Sequence, residues 1–185
     1  MSARITRAAA GLLAGWLLLS PAGGQADESK QEVDKEVQTT LKRFNKAVDD
    51  APELMREAKA VLVVPDVKRV GLVGGGEWGE GALRVGGQNV AYYKMRGGSV
   101  GLQAGYEQGD FVFVFFTDDA VNKFKKDGEF AVSAEAGVTM IDKNADATAS
   151  TLKDKGQIAG FAFDDKGLMG GVTMKGTKFK RVNPK

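Results

Sequence analysis

The sequence predicts an α+β fold, with a largely antiparallel twisted sheet or partly closed barrel and N-terminal helices packed on it. Two observations support this prediction. An apolar stripe at helical spacing lies early in the chain, and after Ala60 short apolar segments alternate with Gly, Asn, Asp and Gln. Short links between strands favour antiparallel pairing. Helices segregated from such a sheet are typical of the α+β class.

The first predicted helix covers Glu32 to Val48. Its apolar residues follow at spacings of four, four, three and four, which places them on one helical stripe; they are Val33, Val37, Leu41, Phe44 and Val48. A second, short helix is predicted from Pro52 to about Lys59. Pro52 suits a first helical turn, and Asp50 is placed to cap it.

Strand signals fill the rest of the chain. Ser99–Tyr106 alternates apolar and polar or small residues, which predicts a strand with one buried face. Phe111–Phe116 is apolar at every position, which predicts a central strand covered on both sides. Thr117 is expected to cap a short helix from Ala120 to about Lys125.

The last third of the chain is less regular. The stretch from Phe130 to Thr151 is rich in small residues and gives no clear secondary-structure signal. Two further strands, Gln157–Phe163 and Leu168–Lys175, are predicted to close the sheet. Asp164-Asp165-Lys166-Gly167 makes the turn between them.

Residues 1–26 have the pattern of a secretory signal peptide. Two arginines precede an apolar run from Ala8 to Leu19, and small residues end the segment at Ala26. The run is shorter than the ~20 residues that span a bilayer. We therefore expect residues 27–185 to form a single exported domain, with a helical part over 30–59 and a glycine-rich β part over 60–180.

Composition excludes several kinds of chemistry. The chain has no Cys and no His, which removes disulfides, thiolate metal sites, lipid-modified cysteine and the commonest general base. Without Arg4 and Arg7, 24 basic residues balance 24 acidic ones, so the global charge predicts no nucleic-acid partner. We expect a periplasmic protein that is not a lipoprotein, is not an enzyme and uses no cofactor or metal.

The segment "VGLVGGGEWGEG" contains Gly74-x-Gly76-x-x-Gly79, the glycine spacing of a dinucleotide site. That site needs a helix after the glycines and an acidic residue roughly 20 positions on. The residues that follow predict a strand and a turn, and position 96 is Arg. The glycines therefore favour close backbone approach or a bulge within strands.

Two other motifs lack residues that their functions require. Gly97-Gly98-Ser99-Val100-Gly101 matches a nucleophile elbow, but no histidine is present to serve as its base; a hairpin turn is the better interpretation. The segment starting at Asp142 begins like a calcium loop. It has Ala147 where that loop needs Gly and Lys153 where it needs Glu, so a solvated loop is favoured.

Two basic segments stand out on an otherwise neutral chain. One is the predicted first helix, which carries Arg43 and Lys46. The other is the C-terminal "KGTKFKRVNPK", which holds Lys178, Lys180 and Arg181 and has no acidic residue. Each basic residue close to an anionic membrane contributes roughly 1 kcal/mol of attraction. These five residues are the candidate lipid-binding contacts. Packing of the helix on the sheet, and a solvated last strand and tail, remain the alternative interpretations.

Three stretches in order resemble the SYLF lipid-binding domain, also described as a Ysc-type actin-binding domain. They are "AKAVLVVPDVKRVGLVGGGEWGEGAL", "SVGLQAGYEQGDFVFVFFTDDAVNKF" and "IAGFAFDDKGLMGGVTMKGTKFK". The resemblance runs from about Ala58 to Lys180. It implies a non-enzymatic domain that binds anionic lipid, with exported members in bacteria. A Tyr92-Tyr93 pair stands where eukaryotic members often have Trp, and actin binding is not carried over to an exported chain.

The favoured function is therefore that of a periplasmic SYLF-like domain that binds anionic lipid headgroups at a membrane surface. The alternative is a periplasmic scaffold or stress-related module whose partner is a protein. The sequence leaves open the lipid class, the protein partner and the oligomeric state.

Overall fold

The computed structural model describes residues 29–71, 75–98, 105–126, 128–141, 151–152, 154, 157–174 and 176–184. These residues contain three helices and nine strands, and the sheet curls into a half-barrel, which confirms the predicted α+β class. The helices are α1 Lys30–Ala47, α2 Ala51–Glu57 and α3 Asp118–Lys126. The strands are β1 Ala60–Gly71, β2 Gly76–Val85, β3 Gln88–Gly98, β4 Gly105–Phe115, β5 Glu129–Ala131, β6 Val138–Ile141, β7 Ile158–Asp164, β8 Gly167–Leu168 and β9 Lys178–Val182.

The sheet has the order β5-β9-β3-β2-β1-β4-β7-β6, and β8 pairs with β7. Every pairing is antiparallel except β6 with β7. The described edge strands are short, which limits the unpaired backbone available for pairing with other chains. Among the described residues, no helix has the length and apolarity needed to cross a membrane.

Helix α1 begins with a capping box. The Glu32 N–H donates to the Ser29 hydroxyl oxygen at 3.4 Å, and the Ser29 N–H donates to a Glu32 carboxylate oxygen at 3.0 Å. This box sets the start of α1 at Lys30, two residues before the predicted start. The predicted apolar stripe is confirmed, because Val33, Val37 and Phe44 are buried against the sheet. At α2, Asp50 occupies the N-cap position as predicted, but its side chain makes no capping bond.

The sheet separates two cores. On the α1 face, named for the helix that covers part of it, Val63 and Val112 pack with Phe44. On the opposite, aromatic face, Phe111 and Phe113 pack with Phe124 of α3 and Phe179 of β9. Strand β4 contributes to both cores, so the prediction of a central strand covered on both sides is confirmed. Thr117 caps α3 as predicted, accepting from the Ala120 N–H at 3.2 Å.

Strand β1 carries a bulge at Pro65–Asp66. Its pairing with both β2 and β4 shifts register there, because β1 holds one residue more than either neighbour. Pro65 has no N–H to donate, which restricts proline in a central strand to such a site. Asp66 has a φ of 54°, a left-handed conformation that Asp tolerates better than most residues. The bulge reverses which side chains face each core, so Lys68 lies on the α1 face and Arg69 on the aromatic face.

The glycines of β2 allow that bulge to pack closely. A Cβ at Gly79 would lie 2.9 Å from Val64 Cγ1 and 2.9 Å from Val67 Cγ2. A Cβ at Gly81 would clash with the Val63 carbonyl oxygen and lie 2.8 Å from Val64 Cα. Both glycines sit inside an antiparallel strand that turns directly into β3, and no helix follows. The expectation of close backbone approach is met at Gly79 and Gly81; Gly74 lies outside the described residues.

The C-terminal strand prediction needs correction. Among the described residues of the predicted strand Leu168–Lys175, only Leu168 belongs to a strand, the short β8, and the C-terminal strand of the sheet is Lys178–Val182. Gly171 has a φ of 67° and Gly176 a φ of 84°, conformations that interrupt a ladder. Met169 before Gly171, and Val172 and Met174 after it, pack on the aromatic-face core, so the segment follows the core and not the sheet edge.

Several predictions fall on residues that the structure does not describe. They are the signal peptide at 1–26, most of the strand Ser99–Tyr106, the hairpin turn at Ser99 and most of the calcium-like segment from Asp142. The small-residue stretch from Phe130 does contain β6, which pairs in parallel with β7.

We expect Gly81→Ala to destabilise the fold severely, because its Cβ meets main-chain atoms of β1 that a rotamer change cannot move. Overpacking of this kind costs roughly 1–3 kcal/mol or more. Urea unfolding of the variant measures the loss. Gly98→Ala is the matched control, since a Cβ there meets no atom within 4 Å; equal stability of the two variants would contradict the packing role of Gly81.

Candidate functional site

The predicted basic contacts occupy three separate places. Arg43 lies against β4, where its Nη2 is 2.8 Å from Asp110 Oδ2 and 3.0 Å from Asp110 Oδ1. Asp110 is buried, and its Oδ1 also accepts from the Asp66 N–H at 3.0 Å. Burial raises the pKa of Asp110, an effect that the Asp66 N–H and the Arg43 charge partly offset. Arg43 therefore joins α1 to β4 and to the β1 bulge.

Lys46 lies one helical turn further along α1, beside an open cavity of about 510 Å³. That cavity is also lined by Asp164, Asp165 and Lys166. A neighbouring cavity of about 310 Å³ adds Asp66 and Asp110 to the acidic groups around Arg43. The surroundings of Arg43 and Lys46 are therefore mainly acidic, which disfavours an anionic ligand there.

The three C-terminal cations of β9 divide between the two faces of the sheet. Lys178 and Lys180 are in register with Arg96 and Lys94 of β3, on the α1 face. Arg181 is in register with Tyr93, on the aromatic face. Burial raises the pKa of the Tyr93 hydroxyl, and the Arg181 charge partly offsets it. The structure thus groups Lys178 with Lys180 and separates both from Arg181.

A basic sheet face extends from Lys178 and Lys180 beyond the part of the sheet that α1 covers. Its members come from strands β1, β3 and β9 and are Lys68, Lys94, Arg96, Lys178 and Lys180. Trp78 of β2 lies between Lys68 and Arg96 in the same cross-strand row. Neighbouring strands are about 4.8 Å apart, so Lys68 and Lys178 are about 14 Å apart across the sheet.

Two carboxylates offset part of this charge. Lys94 Nζ is 3.2 Å from Glu80 Oε1, and Lys178 Nζ is 2.7 Å from Glu129 Oε1. The side chains of Lys178 and Glu129 are each about half exposed, and such a surface pair is worth only about 0–1 kcal/mol. Five cations against two anions leave the basic sheet face with a net positive charge.

Sequence reasoning found Lys178 and Lys180 but missed Lys68, Lys94 and Arg96. These three are scattered among glycines, apolar residues and aromatics along the chain, and Lys68 is followed by Arg69, which lies on the other face of the sheet. Their common face depends on strand register and on the β1 bulge. The available signal was the pair Lys94 and Arg96, which alternate with apolar residues and so share one face of a strand.

A second charged cluster is buried on the aromatic face. Arg69 and Glu77 lie in register, with Arg69 Nε 3.4 Å from Glu77 Oε2, and Arg69 Nη1 is 3.3 Å from Glu107 Oε2. The Thr177 hydroxyl donates to Glu77 Oε1. Arg69, Glu77 and Thr177 are almost fully buried. Burial raises the pKa of Glu77, while Thr177 and Arg69 act in the opposite direction.

This cluster ties the segment before β9 to the sheet. A Cβ at Gly97 would lie 2.6 Å from Glu77 Oε1 and 2.7 Å from Thr177 Oγ1, so glycine leaves room for the bond between them. Within the described ranges, no group of three or more acidic side chains is placed to hold a metal ion. Arg69, Glu77 and Glu107 are engaged with one another.

We expect Arg43→Ala to lower the free energy of unfolding by about 1–3 kcal/mol, because it removes the ion partner of the buried Asp110. Lys46→Ala, on the same helix, should change it by less than about 0.5 kcal/mol. Urea denaturation of both variants measures the difference. Equal stabilities would contradict a structural role for Arg43.

We expect Arg69→Met to cost about 3–5 kcal/mol at neutral pH, because it leaves the Glu77 carboxylate buried without its cation. Since the pKa of Glu77 is raised in the folded chain, this carboxyl favours folding at low pH. Its contribution is lost as the pH rises from about 4.5 through the folded-state pKa. The variant should therefore recover stability relative to the parent at low pH. A pH-independent loss would show that the charge of Glu77 is not the cause.

Comparison with known proteins supports one family. The family model described as "Ysc84: Las17-binding protein actin regulator" matches residues 96–183, which begin near the end of β3 and include β4 to β9. LAS seventeen-binding protein 3 from two Saccharomyces cerevisiae strains, YJM789 and S288c, is 29% identical over an alignment of 140 residues that covers 68% of this chain. The chain spans only 29% of the length of these relatives. Together, these two matches support membership of the Ysc84 (SYLF) family.

Proposed function

We propose that this chain is a non-enzymatic periplasmic domain that binds anionic lipid headgroups at a membrane surface. The observation that carries the proposal is the basic sheet face, where Lys68, Arg96 and Lys178 lie in one cross-strand row and Lys94 and Lys180 in the next. Arg96 and Lys180 are exposed. The described part of α1 covers a different part of the sheet, so these cations face outward.

The size of the attraction fits peripheral attachment. Each basic residue near an anionic surface contributes about 1 kcal/mol, so five cations less two carboxylates give roughly 3 kcal/mol. That is a reversible, salt-sensitive interaction. Helix α1 does not supply an apolar insertion surface, because its apolar stripe is buried in the sheet.

The described ionic groups also support a binding domain in preference to an enzyme. The buried carboxyls of Asp110 and Glu77 have arginine partners that make them structural. Histidine and cysteine are absent from the sequence. A periplasmic location rests on the signal-like pattern of residues 1–26 and is part of the proposal.

A protein partner is the second candidate. It is favoured by the name of the yeast relatives, LAS seventeen-binding protein 3, which describes binding to another protein. For this chain the corresponding role would be that of a periplasmic scaffold or stress-related module. Cross-linking in intact cells followed by identification of the linked species separates the two candidates, since a lipid-binding domain would yield no stoichiometric protein adduct.

We expect the full chain to sediment with vesicles that contain phosphatidylglycerol and not with phosphatidylcholine vesicles. The double variant Arg96→Glu/Lys180→Glu should weaken this binding by roughly 30-fold or more, at about 1 kcal/mol for each lost cation. Rising salt should release the parent chain from the vesicles.

The matched control is Lys123→Glu/Lys125→Glu, which makes the same charge change on exposed positions of α3. All variants keep residues 1–26, so any lipid affinity of that segment cancels in the comparison. Equal binding by the two double variants would remove the basic sheet face as the contact. Failure of the parent to bind anionic vesicles would contradict the lipid function and favour the protein partner.

A further inference from the structure

On the α1 face, successive cross-strand rows differ in polarity and charge toward the end of the sheet. The last row that belongs to the core under α1 is apolar and consists of Val63, Ala82, Tyr92 and Val182. The next row is mixed in charge and consists of Glu80, Lys94, Lys180 and Glu129. Successive rows on one face are two residues apart, or about 7 Å.

The third row places an indole among cations. Trp78 lies between Lys68 and Arg96, and Lys178 follows on the next strand. Among the described residues the Trp78 Nε1–H is shielded from solvent and has no hydrogen-bond acceptor. A shielded indole N–H usually finds such a partner. The described residues therefore hold the indole N–H by no hydrogen bond. The ring can turn toward an acceptor outside the chain without breaking one.

The fourth row lies where the described part of the sheet ends, and its described residues form an uncharged rim. Tyr106 and Val70 are in register, and Gly76 and Gly98 continue the row on β2 and β3. Tyr106 is 58% exposed, the highest value among the large apolar or aromatic side chains that the structure describes as exposed. Its hydroxyl donates to Gln108 Oε1 at 3.2 Å, so the ring lies at the surface.

We infer that this rim is the part of the domain that enters the membrane interface, with Trp78 and Tyr106 as aromatic anchors. The cation row with Lys68, Arg96 and Lys178 then lies at headgroup level. Trp and Tyr are the side chains that prefer the boundary between water and lipid. The rim and the cation row are about 7 Å apart, and interfacial elements typically bury to about 5–10 Å. The inference rests on the proposed function and adds the orientation in which the domain docks.

Trp78 is a natural probe for this docking mode. The chain has two tryptophans, Trp16 and Trp78, so the full chain with Trp16→Phe reports on Trp78 alone. On vesicles with phosphatidylglycerol we expect its emission to shift to shorter wavelength and its quenching by acrylamide to fall. Brominated phosphatidylglycerol should quench it directly.

Tyr106 provides an independent test, because it is exposed and its replacement does not disturb a core. Tyr106→Ser should weaken vesicle binding several-fold, and Tyr106→Trp should retain it. Val90→Ser is the matched control, since Val90 is 45% exposed in β3 near the β2–β3 turn and away from the rim. Its binding should equal that of the parent.

The outcomes separate this inference from the proposed function. Salt-sensitive vesicle binding with unchanged Trp78 emission, and without effect of Tyr106→Ser, would overturn the aromatic docking and keep the lipid function. Failure of the parent chain to bind any vesicle would overturn both. A blue shift together with the loss in Tyr106→Ser supports the docking mode.

Discussion

Strand β1 lies between β2 and β4 and carries the bulge at Pro65–Asp66, on which the arrangement of both faces depends. The Asp66 N–H that the bulge displaces from the ladder donates to Asp110 of β4, and Asp110 in turn pairs with Arg43 of α1. Gly79 and Gly81 of β2 give the bulge room on its other side. One extra residue is thus held by both neighbouring strands and by the helix. Without it, Lys68 and Arg69 would exchange faces.

This constraint assigns different roles to residues of the same type. Arg43 and Arg69 neutralise buried or partly buried carboxylates, where losing the cation leaves a charge with little solvation. Arg96 and Lys180 lie in register with other cations and remain exposed. Like charges on neighbouring strands repel, so a cation row weakens the isolated fold slightly. An anionic surface would relieve that repulsion, which is a physical reason to regard the row as a binding feature.

The predictions that succeeded rest on local periodicity. The stripe through Val33 and Phe44 identified α1, and the uninterrupted run at Phe111–Phe116 identified the central strand covered by two cores. The strand predicted at Leu168–Lys175 failed because glycines with positive φ let its methionines fold over the aromatic core. The candidate site was only half predictable. Lys178 and Lys180 form a local run, whereas Lys68 and Arg96 join them only through pairing across the sheet.

The segment Gly76–Gly81 unites these features because its residues alternate between the two faces of β2. Glu77, Gly79 and Gly81 face the aromatic core, where the carboxylate meets Arg69 and the glycines admit the bulge of β1. Trp78 and Glu80 project to the other face, into the cation row and the mixed-charge row. A motif with the glycine spacing of a nucleotide loop therefore accommodates the Arg69–Glu77 contact and the β1 bulge on one side. On the other side it presents the Trp78 indole. Gly79 and Gly81 on the aromatic face let β1 and β2 approach closely, which also places Lys68 next to Trp78. The geometry of the exposed face therefore follows from the packing of the aromatic face.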